Sequence, residues 1–219
     1  MSATEASARL TELEHDALTE LVNLGVSNAA LGLREMVQEE VLLSVPNVSV
    51  VTREDAVTIL RQGSASRLVA VHQRFEGAIN GRALLIFPEA QSLELVRAVV
   101  GSELSLEDIM ELEQEALAET GNILLNACLG TIANSLQRNL KISLPEVVHG
   151  DGRDLFSLAP QPWSSNGVLF IYINFAFEFR NVRGYLAMLL DLPSLVVLKE
   201  LLAEYILRVG GTPPSSSHA

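Results

Sequence analysis

Apolar residues recur at three- and four-residue steps in two segments of the chain, and this spacing predicts two long amphipathic helices. The first stripe consists of Leu13, Ala17, Leu21 and Leu24. The second stripe consists of Leu112, Ala116, Ile123 and Leu124. Each helix opens with a capping-box pattern, Thr11-x-x-Glu14 or Ser105-x-x-Asp108, in which hydroxyl and carboxylate satisfy free backbone N–H groups. We expect both stripes to face the core.

Other segments have the composition of strands. Val41–Val51 and Leu140–Val148 are rich in β-forming residues, and each contains one proline, which is typical of a sheet edge or a bend. Leu68–Phe75 and Arg82–Phe87 flank Asn80-Gly81, a pair that favours a hairpin turn. We therefore expect a hairpin here and two proline-containing strands at other places in the sheet.

The remaining segments complete the prediction. Val168–Phe179 is apolar on both faces, which indicates a central buried strand. Pro88–Val100 and Pro193–Val209 predict helices, because proline is favoured in the first turn. Residues 210–219, with two prolines and three serines, predict a disordered tail, and the joint between the two halves is expected at 101–106.

The chain contains an internal repeat. With a shift of 99 residues, 11 of the 38 positions from 12 to 49 are identical without a gap. Gly81-Arg82-Ala83-Leu84 also resembles Gly184-Tyr185-Leu186-Ala187. The simplest account is a single domain, 1–219, built from two copies of one unit, about 10–101 and 105–209. We predict an α+β fold in which a duplicated, pseudo-two-fold αβ unit packs long helices on a largely antiparallel sheet.

Composition excludes several classes of protein. Of the 219 residues, 15 are Lys or Arg and 27 are Asp or Glu, so the net charge of −12 disfavours nucleic acid and anionic membrane as partners. No stretch of about 20 uninterrupted apolar residues predicts a membrane span. The single cysteine, Cys128, excludes a disulfide framework and fits a reducing cytoplasm. We expect a cytoplasmic protein.

The candidate chemistry lies on the two long helices. Each carries an acidic residue, a glutamate and an asparagine at positions i, i+4 and i+7: Asp16, Glu20 and Asn23, then Glu115, Glu119 and Asn122. At about 100° per residue, each set spans about 60° of the helix surface. A carboxylate one turn before an amide forms a rigid pair that could bind a partner's lysine and hold a water molecule.

A solvated helix face is the alternative reading of these residues, and a single Glu-x-x-Asn would favour it. Both pairs differ from an isolated Glu-x-x-Asn in that a proline follows each asparagine by 23 residues; these prolines are Pro46 and Pro145. The prolines themselves are better explained by strand geometry than by chemistry. Asp16 and Glu115 are equally consistent with surface charges and with partner contacts.

The pattern Asp16-x3-Glu20-x2-Asn23-x22-Pro46 resembles the signature of the CheC/CheX/FliY family of chemotaxis phosphatases, and the two copies resemble its CheC form. The resemblance implies hydrolysis of the phospho-aspartate on the chemotaxis response regulator CheY. It further implies that Glu20 and Glu119 pair with the regulator's active-site lysine, and that Asn23 and Asn122 align the attacking water. The magnesium ion would belong to the regulator, so no metal or cofactor of this chain's own is expected.

Two positions depart from the family pattern. Val22 precedes the first asparagine, where the family has a glycine such as Gly121 of the second copy. If that glycine gives a docked partner room, Val22 weakens the first site. Glu115 stands where the family has Asp or Ser. We expect two competent sites of unequal activity.

A second hypothesis remains open from the sequence. A non-catalytic module of this family could instead engage the receptor deamidase CheD, or the flagellar motor or receptor complex. A metal- or cysteine-dependent phosphatase is disfavoured, because the four histidines are scattered and Cys128 has the neighbours of a core residue. We expect a monomer, since pseudo-symmetry within one chain removes a common reason to dimerise.

Overall fold

The computed structural model describes residues 10–37, 40–63, 67–100, 105–157, 168–177 and 180–210. The helices of these residues are α1 (Glu12–Val37), α2 (Arg53–Gly63), α3 (Glu89–Val100), α4 (Leu106–Ser135), α5 (Gly152–Ser157) and α6 (Leu192–Gly210). The strands are β1 (Leu42–Val51), β2 (Leu68–Gly77), β3 (Gly81–Pro88), β4 (Leu140–Ile142), β5 (Glu146–Gly150), β6 (Val168–Phe177) and β7 (Arg180–Leu190).

All seven strands join one antiparallel sheet in the order β1-β6-β7-β3-β2, and the outer edge of β2 pairs with both β5 and β4. The same order of elements occurs twice along the chain: long helix, strand, short helix, hairpin, helix. The first strand of each copy pairs with the hairpin of the other copy. The predicted α+β fold with a duplicated unit is therefore confirmed.

Helices cover both faces of the sheet. The two long helices, α1 and α4, run antiparallel. Gly25 of α1 packs on Cys128 of α4, whereas Gly32, which comes later in α1, packs on Ile123, which comes earlier in α4. Together with α3 and α6 they cover one face, where their buried residues form a single cluster with those of the sheet. The short helices α2 and α5 cover part of the other face, over Ala70 and neighbouring apolar side chains.

Both predicted helix starts are confirmed by their caps. Thr11 donates its backbone N–H to Glu14 Oε2 (2.7 Å), and its Oγ1 accepts from the Glu14 N–H (3.3 Å). The corresponding pair at α4 is Ser105 and Asp108, which form a complete capping box. These bonds satisfy N–H groups that no helical carbonyl can reach.

The two prolines coincide with breaks in the edge strands. In β1 the pairing with β6 shifts register between Ser44 and Asn47, and Pro46 lies in this irregularity. The segment predicted as one strand, Leu140–Val148, is two strands, β4 and β5, separated by a break that contains Pro145. Proline lacks the N–H that a continuous ladder needs, so both prolines have the structural role expected of them.

The short helices α2 and α5 are absent from the sequence prediction. Helix α2 follows a Thr52–Asp55 cap, in which the Asp55 N–H donates to Thr52 Oγ1 at 3.1 Å. Helix α5 follows Asp151, whose Oδ1 accepts from the backbone N–H groups of Arg153 and Asp154. Along the chain, each helix lies between an edge strand and the hairpin of its own copy.

The central strand β6 is confirmed: alternate residues of Val168–Ile173 contribute to the clusters on the two faces of the sheet. The last two residues of the predicted strand, 178–179, lie outside the described residues. The predicted joint falls largely on residues 101–104, and the predicted tail on residues 211–219, which lie outside the described residues. Within the described ranges, every helix is too short or too polar to cross a bilayer.

Candidate functional site

The first motif lies on the outer face of α1. Asp16, Glu20 and Asn23 are all exposed, and no hydrogen bond joins the Asn23 side chain to another residue of the described ranges. The start of the helix is fixed to the sheet edge, because His15 Nε2 lies 2.8 Å from the carbonyl oxygen of Val48 in β1. The helix therefore presents to solvent an amide that no other described residue holds by a hydrogen bond.

The second motif differs in its asparagine. Glu115 and Glu119 are exposed on α4, but Asn122 is half-buried. Its Oδ1 accepts two hydrogen bonds, from Asn126 Nδ2 at 2.7 Å and from Gln73 Nε2 at 3.2 Å. Both bonds use the oxygen, so the amide is held in one orientation that leaves Nδ2 available to a partner.

Gln73, on β2, holds this arrangement from below. Its side chain is fully buried, at 0% exposure, and its Nε2 also donates to the backbone oxygen of Ser143 at 3.0 Å. The Gln73 Oε1 atom is buried and has no hydrogen-bond partner among the described residues. A buried polar side chain with one unsatisfied atom is costly, which suggests that its role is to orient Asn122 rather than to stabilise the fold.

Among the described side chains of the matching strand, no equivalent of Gln73 lies below the first motif. In the matching strand, β6, the residues that face the same cluster are Leu169, Ile171 and Ile173, and all three are apolar. The sequence prediction missed Gln73. The available signal was a glutamine inside the predicted strand Leu68–Phe75, which is apolar at Leu68–Val71 and at Phe75. The two sites therefore share exposed glutamates but differ in how the asparagine is held.

The predicted apolar stripe of α1 is partly wrong. Leu13 and Leu24 are 59% and 47% exposed, and they flank Glu20 and Asn23 instead of facing the core. The buried face is centred on other residues, which are Ala17, Leu18, Leu21, Val22, Gly25, Val26, Ala29, Leu33 and Val37. The helix contacts both the sheet and α4. Its buried face is therefore wider than the predicted stripe of residues at three- and four-residue steps, and it is rotated around the helix axis relative to that stripe.

The second helix shows the same rotation in weaker form. Leu112 is 37% exposed and Ile123 is half-buried, whereas Ala116 and Leu124 are buried as predicted. Both motifs are thus bordered by apolar side chains on the solvent side of their helices.

Comparison with known proteins gives the same assignment as the motif. A family model described as chemotaxis phosphatase CheX matches residues 68–161, which include α4 and its motif. The CheY-P phosphatase CheC of Bacillus subtilis is 26% identical over 141 residues, 63% of this chain and 67% of that protein. The putative CheY-P phosphatase CheC1 of Halobacterium salinarum is 24% identical over 146 residues, 66% and 73% of the two chains.

Among solved structures, Thermotoga maritima FliY superposes with a TM-score of 0.71 at 17% identity, covering 90% of this chain and 98% of that one. The chain is therefore similar to proteins of the CheC/CheX/FliY family in sequence and in fold. At this level of identity the structural likeness establishes the fold, while the roles of individual residues depend on the site itself.

The glycine that precedes Asn122 has a packing role. A β-carbon built at Gly121 would lie 2.4 Å from Val71 Cγ1, so glycine lets α4 approach β2 closely. This approach brings Asn122 within reach of Gln73. Val22, at the corresponding position of α1, is fully buried. The condition under which Val22 would weaken the first site, that this position gives a docked partner room, is therefore not met, because the position faces the core in both copies.

Two other kinds of site receive no support. Cys128 is buried, and burial raises the pKa of its thiol to about 12, so a nucleophilic thiolate is strongly disfavoured. Within the described ranges, no three or more His, Cys, Asp or Glu side chains are grouped so that they could hold a metal ion. The two Glu-x-x-Asn faces remain the candidate functional sites.

Proposed function

We propose that this protein hydrolyses the phospho-aspartate of a CheY-type response regulator at two sites, Glu20 with Asn23 and Glu119 with Asn122. Two relatives are named as CheY-P phosphatases, which supports the reaction class. The observation that carries the proposal is an exposed carboxylate one helical turn before an amide in both copies, with Asn23 exposed and Asn122 half-buried.

The reaction needs positioning more than covalent chemistry. Water adds to phosphorus, the bond from phosphorus to the aspartyl oxygen breaks, and the products are a free carboxylate and inorganic phosphate. An amide can orient a water molecule or a phosphoryl oxygen without acting as a strong base. Phosphoryl transfer responds chiefly to such alignment and to charge stabilisation. The glutamate would pair with the regulator's lysine, and the magnesium ion would be supplied by the regulator.

The surroundings of the first motif suit a folded protein as substrate. Leu13, Leu24 and Leu31 are exposed on the same face of α1 as Glu20 and Asn23. A group of exposed apolar side chains next to polar residues is typical of a surface that binds another protein. We infer that these leucines contact the regulator and that Glu20 provides orientation.

The two sites would differ in preorganisation. Asn122 already has a fixed amide, whereas Asn23 must be ordered when the regulator docks. Ordering a free side chain costs entropy, so we expect the second site to contribute more of the rate.

The test measures phosphate release from a purified, phosphorylated CheY-type regulator with magnesium present. Variants N23A, N122A and the double variant are compared with N134A, which removes an exposed asparagine near the far end of α4. We expect each single variant to retain part of the acceleration and the double variant to fall by roughly a hundredfold, to the regulator's own rate. N134A should behave as wild type.

Acceleration that survives in the double variant would contradict the assignment of the asparagines. If the wild-type protein has no effect on the regulator, the phosphatase proposal fails. The alternative from the sequence, a binding module for CheD or for the motor or receptor complex, would then replace it.

A further inference from the structure

A polar cleft lies on the side of the sheet opposite to α1 and α4. Residues alternate along β2, so Gln73 faces α4 whereas His72, Arg74 and Glu76 face the other side. There the side chains of β2, β3, β4 and β5 line a cavity of about 540 Å³ that opens to solvent. Its size is within the usual range for sites that bind small molecules.

Two arginines face each other across this cleft. Arg74 on β2 and Arg82 on β3 are directly opposite in the antiparallel ladder, so their β-carbons are about 5 Å apart. Like charges in this position repel each other. The Nε atom of Arg82 is buried without a hydrogen-bond partner among the described residues. Burial, and next the charge of Arg74, lowers the pKa of Arg82.

The carboxylates of the cleft face other groups. Glu146 Oε2 lies 3.3 Å from Nε2 of His72, and Glu76 is directly opposite Lys141 in the ladder between β2 and β4. Among the described residues, neither Arg74 nor Arg82 has a carboxylate within 4 Å. In a chain of net charge −12, two adjacent guanidinium groups therefore lack a direct ion pair, and the more distant Glu146 only partly offsets the burial and the Arg74 charge that lower the pKa of Arg82.

We propose that this cleft binds the phosphate group of a small phosphorylated molecule between Arg74 and Arg82. Guanidinium groups present paired N–H donors that match two oxygens of a phosphate, and such charge-assisted bonds are strong. A bound dianion would remove the repulsion between the arginines and supply the donors with acceptors. The cavity has room for more than the phosphate group, so the ligand is an organic phosphate rather than the free ion.

The facing arginines occur on only one of the two hairpins. The repeat aligns Arg82 with Tyr185, which packs against Tyr172 and Phe170 in an aromatic group. The second copy therefore lacks the facing arginines. Because the cleft and the two Glu-x-x-Asn faces lie on opposite sides of the sheet, ligand and protein substrate can bind at the same time.

The proposal is tested by calorimetric titration of the full chain with adenosine 5′-monophosphate, ribose 5-phosphate, inorganic phosphate and uncharged adenosine. We expect saturable binding of one equivalent of an organic phosphate, weaker binding of inorganic phosphate and none of adenosine. R74Q and R82Q should each weaken binding at least tenfold. R153Q, which removes an exposed arginine of α5, should leave it unchanged.

Arg82 is partly buried, so its variant is checked for an unchanged unfolding midpoint, and the exposed Arg74 provides an independent test. R74K retains the charge but loses the paired donors, and it should bind with an intermediate affinity. The proposal is overturned if no probe saturates at millimolar concentration, or if R74Q binds as wild type. Equal affinity for inorganic phosphate and both organic phosphates would overturn the assignment to an organic ligand.

Discussion

The role of Gln73 can be separated from its effect on stability. The variant Q73L removes the donor to Asn122 Oδ1 at 3.2 Å and the donor to the Ser143 oxygen at 3.0 Å. Two hydrogen bonds stabilise by about 1–3 kcal/mol together, but the variant also removes the unsatisfied Oε1, which costs about 1–3 kcal/mol. Leucine fills a similar volume, so we expect the free energy of unfolding to change by less than about 2 kcal/mol.

The effect on catalysis should be confined to the second site. Asn122 loses one of two donors to its oxygen, and a loss of about 1 kcal/mol in positioning corresponds to a rate about fivefold lower. The assay is phosphate release from the phosphorylated regulator in two backgrounds. In N23A, which leaves only the second site, Q73L should lower the rate about fivefold. In N122A, which leaves only the first site, Q73L should have no effect.

Two outcomes would refute this reasoning. An equal loss in both backgrounds would show that Gln73 acts through the fold as a whole. An unchanged rate in N23A would show that the hydrogen bond to Asn122 does not orient the amide in the reacting complex. Denaturant unfolding of Q73L, measured beside each assay, separates the first outcome from simple destabilisation.

The remaining predictions concern stability. G121A should lower the free energy of unfolding by about 1–3 kcal/mol, because its β-carbon would overlap Val71. At Gly130 an added β-carbon would have no atom within 4 Å, so G130A should raise the free energy of unfolding by up to about 1 kcal/mol. If urea unfolding gave the same change for G121A and G130A, the contact with Val71 would not be the cause of the loss. Burial is the main cause that lowers the pKa of His72. The unfolded chain therefore binds this proton more readily than the folded protein does. As a result, stability falls as the pH drops below the ordinary histidine pKa of 6.5. The loss of stability between about pH 7.5 and pH 5 should be smaller in H72L than in the wild-type protein. Matching pH profiles would be inconsistent with a lowered pKa of His72 in the folded protein.

Local sequence signals predicted those parts of the fold that depend on neighbouring residues. The caps at Thr11 and Ser105 fixed the starts of the long helices, and the β2–β3 hairpin formed around Asn80. The same type of cap, Thr52 with Asp55, precedes α2, which was nevertheless missed because that helix is short and strongly polar. The exposed glutamates and Asn23 were predictable, because a helix of known start fixes which residues share a face.

Features that depend on contacts between distant segments could not be predicted. The exposure of Leu13 and Leu24 depends on where α4 and the sheet contact α1, and no local periodicity encodes that. The link from Gln73 to Asn122 joins residues 49 positions apart and requires the register of α4 on β2. The facing arginines likewise depend on the pairing of β2 with β3.

The exchange of first strands between the two copies has a consequence for folding. Ser49 of β1 bonds to Phe170 of β6 across 121 residues, so the strand must wait until almost the whole chain has left the ribosome. Until then the amino-terminal copy has an open edge on β2 and an unpaired β1, both of which invite association with other chains. Neither copy can complete its own sheet, and a gene fragment encoding only one of them should yield aggregates unless the complementary fragment is produced in the same cell.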